Sequence, residues 1–294
     1  MLDQRDRPRW RGSRKAPRLG SIPRRKERVI SVAAVLLVKD EADILERTLR
    51  HLLLHVDEIL LRDNNSTDGS SEIMVEFARE FSNVSVRLDP DPAHYQSRKM
   101  TELAHEAYRR GHRWVLPVDP DEIWYAPEGR TIRDWLAVVG GETQLVKAAI
   151  FNHVCSALDD AGDPDPVRRI GWRKRVPLDR RWGKVACRCR PDLSLANGNH
   201  DAFTHGIGTT GDGLLIRHYP YRSPDQFVKK ALSCYHGLLA ATDESEGTGA
   251  HCRAYGQAIE EGGVEAGYAW FMDAFWAEDP ELDDSLVYDP FPDE

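Results

Sequence analysis

Long apolar segments and a regular cysteine pattern are both missing from this 294-residue sequence. The longest apolar run, Val32–Val38, falls far short of the roughly 20 residues that a membrane-spanning helix needs. No apolar stretch follows the basic N-terminus, so we expect no secretory signal peptide and no transmembrane segment. The five cysteines are odd in number and scattered, which argues against the disulfide framework of a small secreted fold. We therefore expect reduced thiols and a cytoplasmic location.

The sequence also lacks the excess of positive charge that is typical of nucleic-acid-binding domains. Its net charge is -8, and residues 1–28 hold eleven Lys and Arg against three acids, so the other 266 residues carry a net charge of -16. Such an acidic body repels a phosphate backbone, which argues against nucleic acid as a partner. Residues 1–28 are rich in Arg and Pro and predict a disordered basic arm. This arm is the only part of the sequence suited to an anionic polymer or a membrane surface.

From residue 29 onward, strand-like apolar runs alternate with amphipathic helical segments. This alternation predicts an α/β fold with a mainly parallel mixed sheet flanked by helices. Because parallel strands connect in the right-handed sense, the polar segments that follow the strands should collect at one carboxyl edge, where we expect the ligand. Near the end of this region, Ser223 and Gln226 form a capping box that predicts a helix running to about residue 241. The predicted strands cover residues 29–38, 58–62, 84–88, 113–118, 144–152 and 214–218.

Three carboxylates in four residues, Asp119, Asp121 and Glu122, directly follow the fourth predicted strand. Like charges this close raise one another's energy unless a positive group neutralises them, and a divalent cation would do so. Mg²⁺ and Mn²⁺ prefer oxygen ligands, commonly one or two carboxylates together with phosphate oxygens of a substrate. The alternative is that these acids cap the turn or helix that follows.

Three segments of the sequence carry a resemblance to a known family. They are residues 36–45 (LLVKDEADIL), 63–70 (DNNSTDGS) and 114–122 (WVLPVDPDE). In this order and spacing, over about residues 30–125, they resemble family 2 type glycosyltransferases with the nucleotide-diphospho-sugar transferase (GT-A) fold, and a weaker likeness continues to about Lys230. The resemblance implies a metal-dependent transfer of a sugar from a nucleotide-diphosphate donor to an acceptor hydroxyl, with Mn²⁺ (or Mg²⁺) as cofactor.

The same resemblance assigns donor-binding roles to residues that follow the first two strands. The backbone of Val38, together with Lys39 and the side chain of Glu41, would meet the base or ribose. Asp40 stands where many relatives have Asn. Asp63 resembles the acid that contacts the base, although ordinary turn chemistry explains an Asp at this position equally well.

Asp119 and Asp121 match the D-x-D motif of the family. The resemblance implies that Asp121 contacts the metal directly and that Asp119 contacts the ribose or a metal-bound water. His218, at the end of a late strand, resembles the His that completes the metal shell in many of these enzymes. Imidazole suits Mn²⁺ better than Mg²⁺, and a hydrogen-bonded structural His is the alternative.

A departing diphosphate also calls for cations where negative charge develops. Helix geometry separates the side chains of Lys229 and Lys230 by about 100°, so at most one of them faces the cleft easily. The candidates near the proposed site are Arg98, Lys184, Arg222, Lys229 and Lys230, of which we favour Arg98 and Lys229.

A general base must take the proton of the acceptor hydroxyl. We expect this base in the polar loop that holds His200 and Asp201, followed by His205, and a hydrogen-bonded loop without catalytic function is the alternative. The acid–Asp pair usual in the family has no clear counterpart, so the stereochemical outcome stays open. An aromatic segment near the C-terminus could stack on an acceptor ring, but its helical spacing favours a core or subunit contact: Tyr268, Trp270, Phe271, Phe275 and Trp276.

We divide the chain into a basic arm (1–28), a GT-A domain (29–241), a helical part that packs on this domain (242–277) and an acidic, loose tail (278–294). Within the domain, residues 29–125 form the donor half and residues 126–241 form the metal and acceptor half. The sequence does not identify the donor base, the sugar, the acceptor (a saccharide or a small molecule) or the oligomeric state. A noncatalytic nucleotide-sugar-binding protein on the same fold is the alternative function.

Overall fold

A computed structural model of the chain describes residues 30–91, 93, 95–205, 208–241 and 249–292. The predicted basic arm at 1–28 lies outside the described residues. So do residues 242–248 of the predicted helical part and the last two residues of the predicted tail. In the described part of the chain, no helix has both the length and the apolar character that a membrane crossing requires.

One eight-stranded mixed sheet forms the centre of the fold. Four neighbouring strands run parallel, in the order β3 (Val84–Leu88), β2 (Glu58–Asp63), β1 (Val32–Val38) and β4 (Trp114–Pro117). Beyond β4 the order continues with β9 (Lys184–Arg188), β6 (Thr143–Asn152), β12 (Thr209–His218) and β5 (Glu122–Tyr125), where β6 and β12 pair in parallel and the other pairs are antiparallel. The predicted α/β class with a mainly parallel sheet is confirmed.

Helices cover both faces of this sheet, and β1 shows why. Its side chains are apolar without interruption, and alternate residues enter opposite cores, with Leu36 in one core and Val35 in the other. Each fully buried side chain of this kind stabilises the fold by about 1.5–3 kcal/mol relative to exposure. One core is completed by α1 (Ala42–His55), α2 (Ser70–Glu80) and α4 (Ile132–Ala137), and the other by α3 (Gln96–Arg109).

The last two helices pack on the end of the sheet that holds β5 and β12. In α6 (Pro224–Ala240), the hydroxyl of Ser223 accepts a hydrogen bond from the Gln226 N–H at 3.1 Å, as the capping box predicts. Helix α7 (Ala250–Ala274) lies within the helical part predicted at 242–277 and has a break at Gly263, whose φ is +78°. Phe227 and Phe271 join these helices in a third apolar core. A short helix, α5 (Pro166–Arg169), precedes them in the chain.

Three pairs of short strands complete the described structure. They are β7 (Cys155–Ser156) with β13 (Trp276–Ala277), β8 (Trp172–Lys174) with β14 (Leu286–Tyr288), and β10 (Ser194–Leu195) with β11 (Ala202–Phe203).

The expectation of a loose tail is wrong for β14 and the residue after it. Asp289 accepts hydrogen bonds from Arg173 at 2.6 Å and from Arg217 at 2.9 Å. The acidic segment is therefore held in place because basic side chains of β8 and β12 neutralise it.

One cysteine pair also departs from the sequence expectation. Cys234 on α6 and Cys252 on α7 form a disulfide with a Cα–Cα distance of 5.8 Å, whereas Cys155, Cys187 and Cys189 are free. The prediction of reduced thiols is therefore wrong for this pair, because the hairpin of two helices brings together cysteines that are 18 residues apart. Disulfides persist mainly in oxidising compartments, so this bond does not support the predicted cytoplasmic location, which stays a prediction.

Candidate functional site

A cavity of about 610 Å³ lies at the carboxyl edge of the sheet, where the ligand was expected. Strand pairing places the loops after β1, β2 and β4 side by side, since Val38 pairs with Asp63 and Val35 pairs with Pro117. Helices α6 and α7 form the opposite wall of the cavity. Both acids of the D-x-D motif, Asp119 and Asp121, line it, so we call it the D-x-D cavity.

Asp121 and His218 meet because their strands are neighbours. His218 at the end of β12 pairs with Glu122 at the start of β5, and this register brings the His218 Nε2 atom to 3.6 Å from Asp121 Oδ2. On the other side of the ring, Nδ1 donates a hydrogen bond to Asn152 Oδ1 at 2.8 Å. With Nδ1 bonded to Asn152, the Nε2 atom faces a carboxylate, and either a proton or a metal cation can lie between the two groups.

Protein cations already contact the acids of this site. Lys230 donates to Glu41 Oε1 at 2.7 Å and to Asp121 Oδ2 at 2.5 Å. Lys184 contacts Asp119 and lies 3.1 Å from Glu122 Oε1. Lysine side chains from distant elements therefore neutralise part of the charge for which the sequence analysis offered a divalent cation.

The remaining charge balance is negative. Arg222 is buried and donates to Glu41 at 2.5 Å and to Asp43 at 2.7 Å, so five carboxylates share three cations in this network. Burial raises the pKa of Glu41 and of Glu122 despite these cations. Burial would also raise the pKa of Asp121, but the charges of Lys230 and His218 outweigh it and hold this pKa well below its ordinary value. A further cation would lower the energy of the network.

The loop after β1 supplies two of its predicted residues to the cavity. Lys39 and Glu41 line it, whereas Val38 is buried and its carbonyl accepts a hydrogen bond from the Asn64 N–H at 2.8 Å. Asp40 has a φ of +53°, a conformation that Asp and Asn tolerate better than most residues. Asp40 therefore tolerates this backbone shape, as Asn at this position would.

Asp63 lies in a second cavity, of about 680 Å³, between α2 and the ends of β2 and β3. Its Oδ1 atom accepts a hydrogen bond from the Ser66 N–H at 2.9 Å, and its Oδ2 atom accepts one from the Ser71 hydroxyl. The structure therefore shows the turn chemistry that the sequence offered as one of two interpretations. The contact with a base stays a prediction.

Besides Val38 and Asp63, three further predicted residues lie outside the D-x-D cavity. The Arg98 guanidinium stacks over the Tyr95 ring at 4.0 Å and is half exposed, Lys229 is on the exposed side of α6, and Asp201 is exposed in the loop before β11. Of the two adjacent lysines, Lys230 faces the cavity instead. The helix phase contains the signal for this, because Lys230 lies one turn after the buried Phe227 and Lys229 points away from that face.

His200 lines the cavity beside Trp182, with an edge-on contact between rings whose centroids are 5.4 Å apart. Burial, and then the charge of Lys184, lower the pKa of His200 to about 4, so the ring is neutral near pH 7. The preceding residue, Asn199, donates to Asp119 Oδ1 at 2.9 Å and joins this loop to the D-x-D segment. Gly198 has a φ of +71°, and a Cβ atom there would lie 2.6 Å from the His200 ring, so glycine is needed for this position of the ring.

The aromatic segment predicted near the C-terminus does not reach either cavity. Phe271 is fully buried in the third core, which agrees with the core interpretation, and Trp270 is exposed. The aromatic side chains that line the D-x-D cavity come from elsewhere and were missed by the sequence analysis: Trp182, Tyr221 and Tyr255. No periodic pattern marks them, because they belong to three separate elements.

Comparison with known proteins gives one family match and several distant structural likenesses. Residues 34–127 match the sequence model described as glycosyl transferase family 2. No curated protein sequence matches. Among solved structures, the chain is similar to a mannosyltransferase from Pyrobaculum calidifontis in complex with GDP-Man and Mn²⁺, with 14% identity, 83% of this chain and 74% of that chain covered, and a TM-score of 0.41. It is also similar to glucosyl-3-phosphoglycerate synthase from Mycobacterium tuberculosis in complex with Mn²⁺, uridine diphosphate and phosphoglyceric acid, with 16% identity, coverages of 74% and 81%, and a TM-score of 0.38.

Proposed function

We propose that the chain, whose residues 34–127 match the glycosyl transferase family 2 model, is a glycosyltransferase with the GT-A fold that uses a divalent cation to move a sugar from a nucleotide-diphosphate donor to an acceptor hydroxyl. The observation on which the proposal depends is the approach of Asp121 and His218 to 3.6 Å inside a cavity of about 610 Å³. Such a volume lies within the roughly 300–1,000 Å³ that is typical of small-molecule sites.

The side chains around Asp121 fit a divalent cation. Asp121 offers a carboxylate oxygen and His218 offers an Nε2 lone pair, with the ring fixed by Asn152. Among the described residues, no group of three or more His, Cys, Asp or Glu side chains could hold a metal. Donor phosphate oxygens and water would therefore complete the shell, as is usual for Mg²⁺ and Mn²⁺, and the imidazole favours Mn²⁺. When bound, the cation supplies Lewis-acid stabilisation of the departing diphosphate.

The chain's own cations would assist the departure of the diphosphate. Lys184 and Lys230 line the cavity next to Asp119 and Asp121, so their charge acts where negative charge develops. Lys39 and Glu41 line the same cavity and suit the donor-binding roles proposed for them. The donor contacts proposed for Val38, Asp63, Arg98 and Lys229 stay predictions.

His200 is the proposed proton acceptor for the acceptor hydroxyl. Its ring lines the cavity and is neutral near pH 7, which is the state that a base needs. Asp201 is exposed and outside the cavity, so the proposal gives the proton transfer to His200. The exposed indole of Trp182 beside this ring offers a flat surface for the acceptor.

Calorimetric titration of the full chain tests the metal site. UDP, GDP and ADP are titrated with and without Mn²⁺, and Asp121→Ala should weaken the Mn²⁺-dependent binding of the preferred nucleotide by at least about 100-fold, the upper end seen for loss of an outer partner of a metal ligand. Asp212→Asn is the matched control, because it removes a carboxylate that is 63% exposed and pairs with Arg180, and neither residue lines the cavity. Unchanged affinity in Asp121→Ala contradicts the proposal.

Incubation of the wild-type protein with nucleotide sugars separates the transferase from a noncatalytic binder on the same fold. A transferase releases sugar slowly to water in the absence of an acceptor, and this release should require Mn²⁺. Tight donor binding with no release of sugar under any condition supports the noncatalytic alternative.

A further inference from the structure

Lys230 binds the same oxygen atom that the proposed metal would bind. The Lys230 ammonium lies 2.5 Å from Asp121 Oδ2, and this Oδ2 atom is also the one that lies 3.6 Å from His218 Nε2. An ammonium and a divalent cation bound side by side on one carboxylate oxygen repel each other strongly in a partly buried site. The contact that Lys230 makes here therefore opposes the binding of a metal.

Lys230 is also the more exposed of the two lysines in the site. Its side chain is 30% exposed, whereas that of Lys184 is 5% exposed and held between Asp119 and Glu122. Helix α6, which carries Lys230, is anchored at two places. The buried Arg222 holds the chain just before the helix begins, and the Cys234 disulfide holds the helix one turn after Lys230. The ammonium can consequently leave Asp121 by side-chain rotation, without movement of α6.

We infer that Lys230 acts as an exchangeable counter-ion that makes metal binding depend on the nucleotide diphosphate. Without a nucleotide, its ammonium occupies Asp121 and Glu41 and weakens the binding of a divalent cation. A diphosphate in the cavity offers Lys230 new anionic partners, so the ammonium moves to the phosphate oxygens and releases Asp121 to the metal. Metal and nucleotide thus strengthen each other's binding through Lys230, a coupling that is reciprocal by necessity. The inference rests on the proposed function and names a positioning residue for it.

Replacement of Lys230 by a neutral residue gives a result that a merely structural role would not. In Lys230→Gln, the affinity for Mn²⁺ alone should increase by about tenfold, and the factor by which a saturating nucleoside diphosphate strengthens Mn²⁺ binding should fall by about tenfold, within the usual range of coupling between two sites. Electron paramagnetic resonance of free Mn²⁺ and calorimetry measure both quantities, with UDP, GDP and ADP as probes. Lys230→Arg keeps the charge and should keep most of the coupling.

The control is Lys174→Gln, which removes the same charge from an exposed position on β8 outside the lining of both cavities and should change neither quantity. Mn²⁺ affinity in Lys230→Gln that equals or falls below the wild-type value overturns the inference, provided that circular dichroism shows the variant to be folded. If Lys230→Gln does not fold, Lys230→Met, which keeps a similar side-chain length without the charge, takes its place: tighter Mn²⁺ binding with weaker coupling supports the inference, and wild-type values of both quantities overturn it.

The two failures are distinguishable. If wild-type protein binds Mn²⁺ together with a nucleotide but Lys230→Gln behaves identically, only the role of Lys230 is wrong. If wild-type protein binds no Mn²⁺ with any of the three nucleotides, the proposed metal site itself is wrong, and the inference fails with it.

Discussion

The polar loop after β2 and the acidic segment after β4 end at the same edge of the sheet but satisfy their carboxylates differently. In the loop after β2, both oxygens of Asp63 accept hydrogen bonds from residues within eight positions in the sequence, namely the Ser66 N–H at 2.9 Å and the Ser71 hydroxyl. These neutral donors belong to the turn itself. Both oxygens of the Asp63 carboxylate therefore have hydrogen-bond partners as soon as this local segment folds, without help from distant parts of the chain.

The acidic segment after β4 depends on distant parts of the chain. Asp119 contacts Lys184, which is 65 residues away, and Asp121 contacts Lys230, which is 109 residues away. These partners are cations on β9 and α6, so the segment is neutralised only when the whole domain has packed. A cation can also be exchanged for another cation, whereas a backbone N–H within a turn cannot move. The comparison thus separates a carboxylate satisfied by nearby neutral donors from carboxylates satisfied by distant cations.

The largest effect, on the reaction rate, is expected at His200. Its neighbour Asn199 donates a hydrogen bond to Asp119 in the acidic segment. His200→Gln should lower the rate of sugar release from the donor by about 100-fold to 10,000-fold, the range for loss of a general base. Because burial and the charge of Lys184 lower the pKa of His200 to about 4, the ring is neutral above that pH and able to accept a proton. The wild-type rate should therefore fall as the pH is lowered through about 4.

Initial rates across a pH series measure both effects. His236→Gln is the control, because His236 is exposed and pairs with Glu260 on the outer surface. A rate for His200→Gln within about threefold of the wild-type rate would remove His200 from the mechanism, since a general base contributes far more than that.

A smaller effect, on stability, is expected from Arg222→Met. Arg222 is fully buried and is held by Glu41 at 2.5 Å, so its removal leaves a buried carboxylate short of a partner. The free energy of unfolding should fall by about 3–5 kcal/mol, as for other buried pairs that lose one member. Urea denaturation followed by circular dichroism measures the loss.

Arg180→Met provides the comparison for this measurement. It removes an ion pair with Asp212 in which both side chains are about 60% exposed, so the free energy of unfolding should fall by less than about 1 kcal/mol. Similar losses in the two variants would show that burial does not distinguish the two ion pairs.

The smallest effect is expected from Asp63→Asn, in the loop after β2. The amide keeps one acceptor oxygen, so about one hydrogen bond is lost and the free energy of unfolding should fall by about 1 kcal/mol. The affinity for Mn²⁺ should not change, because Asp63 lies in the second cavity. A large loss of Mn²⁺ affinity in this variant would break the distinction between the two carboxylates.

Several elements of the fold were predictable because their signals are local. The predicted strand at 84–88 coincides with β3, and the helix cap at Ser223 is present, since both follow from neighbouring residues. The D-x-D segment was also predictable, because a buried strand and the acids that follow it are contiguous in the sequence. These features require no knowledge of which distant elements pack together.

The partners of the site residues were not predictable in the same way. The sequence does not show that Lys184 and Lys230 meet Asp119 and Asp121, because these contacts exist only after β9 and α6 have packed. The same reason applies to the disulfide and to β14, whose partner strand lies more than a hundred residues earlier. The choice of Lys229 over Lys230 is a different kind of error, since the position of Phe227 already marked the inner face of the helix.

The Cys234–Cys252 bond makes the wall of the D-x-D cavity depend on the redox state of its surroundings. Both sulfur-bearing residues line this cavity, and Cys234 lies one helical turn beyond Lys230. A thiol reagent in a purification buffer would therefore break a disulfide in the wall of the cavity that also holds Asp121 and Lys230, rather than a disulfide in a distant part of the fold. Samples prepared with and without such a reagent are two different starting materials for any study of this enzyme.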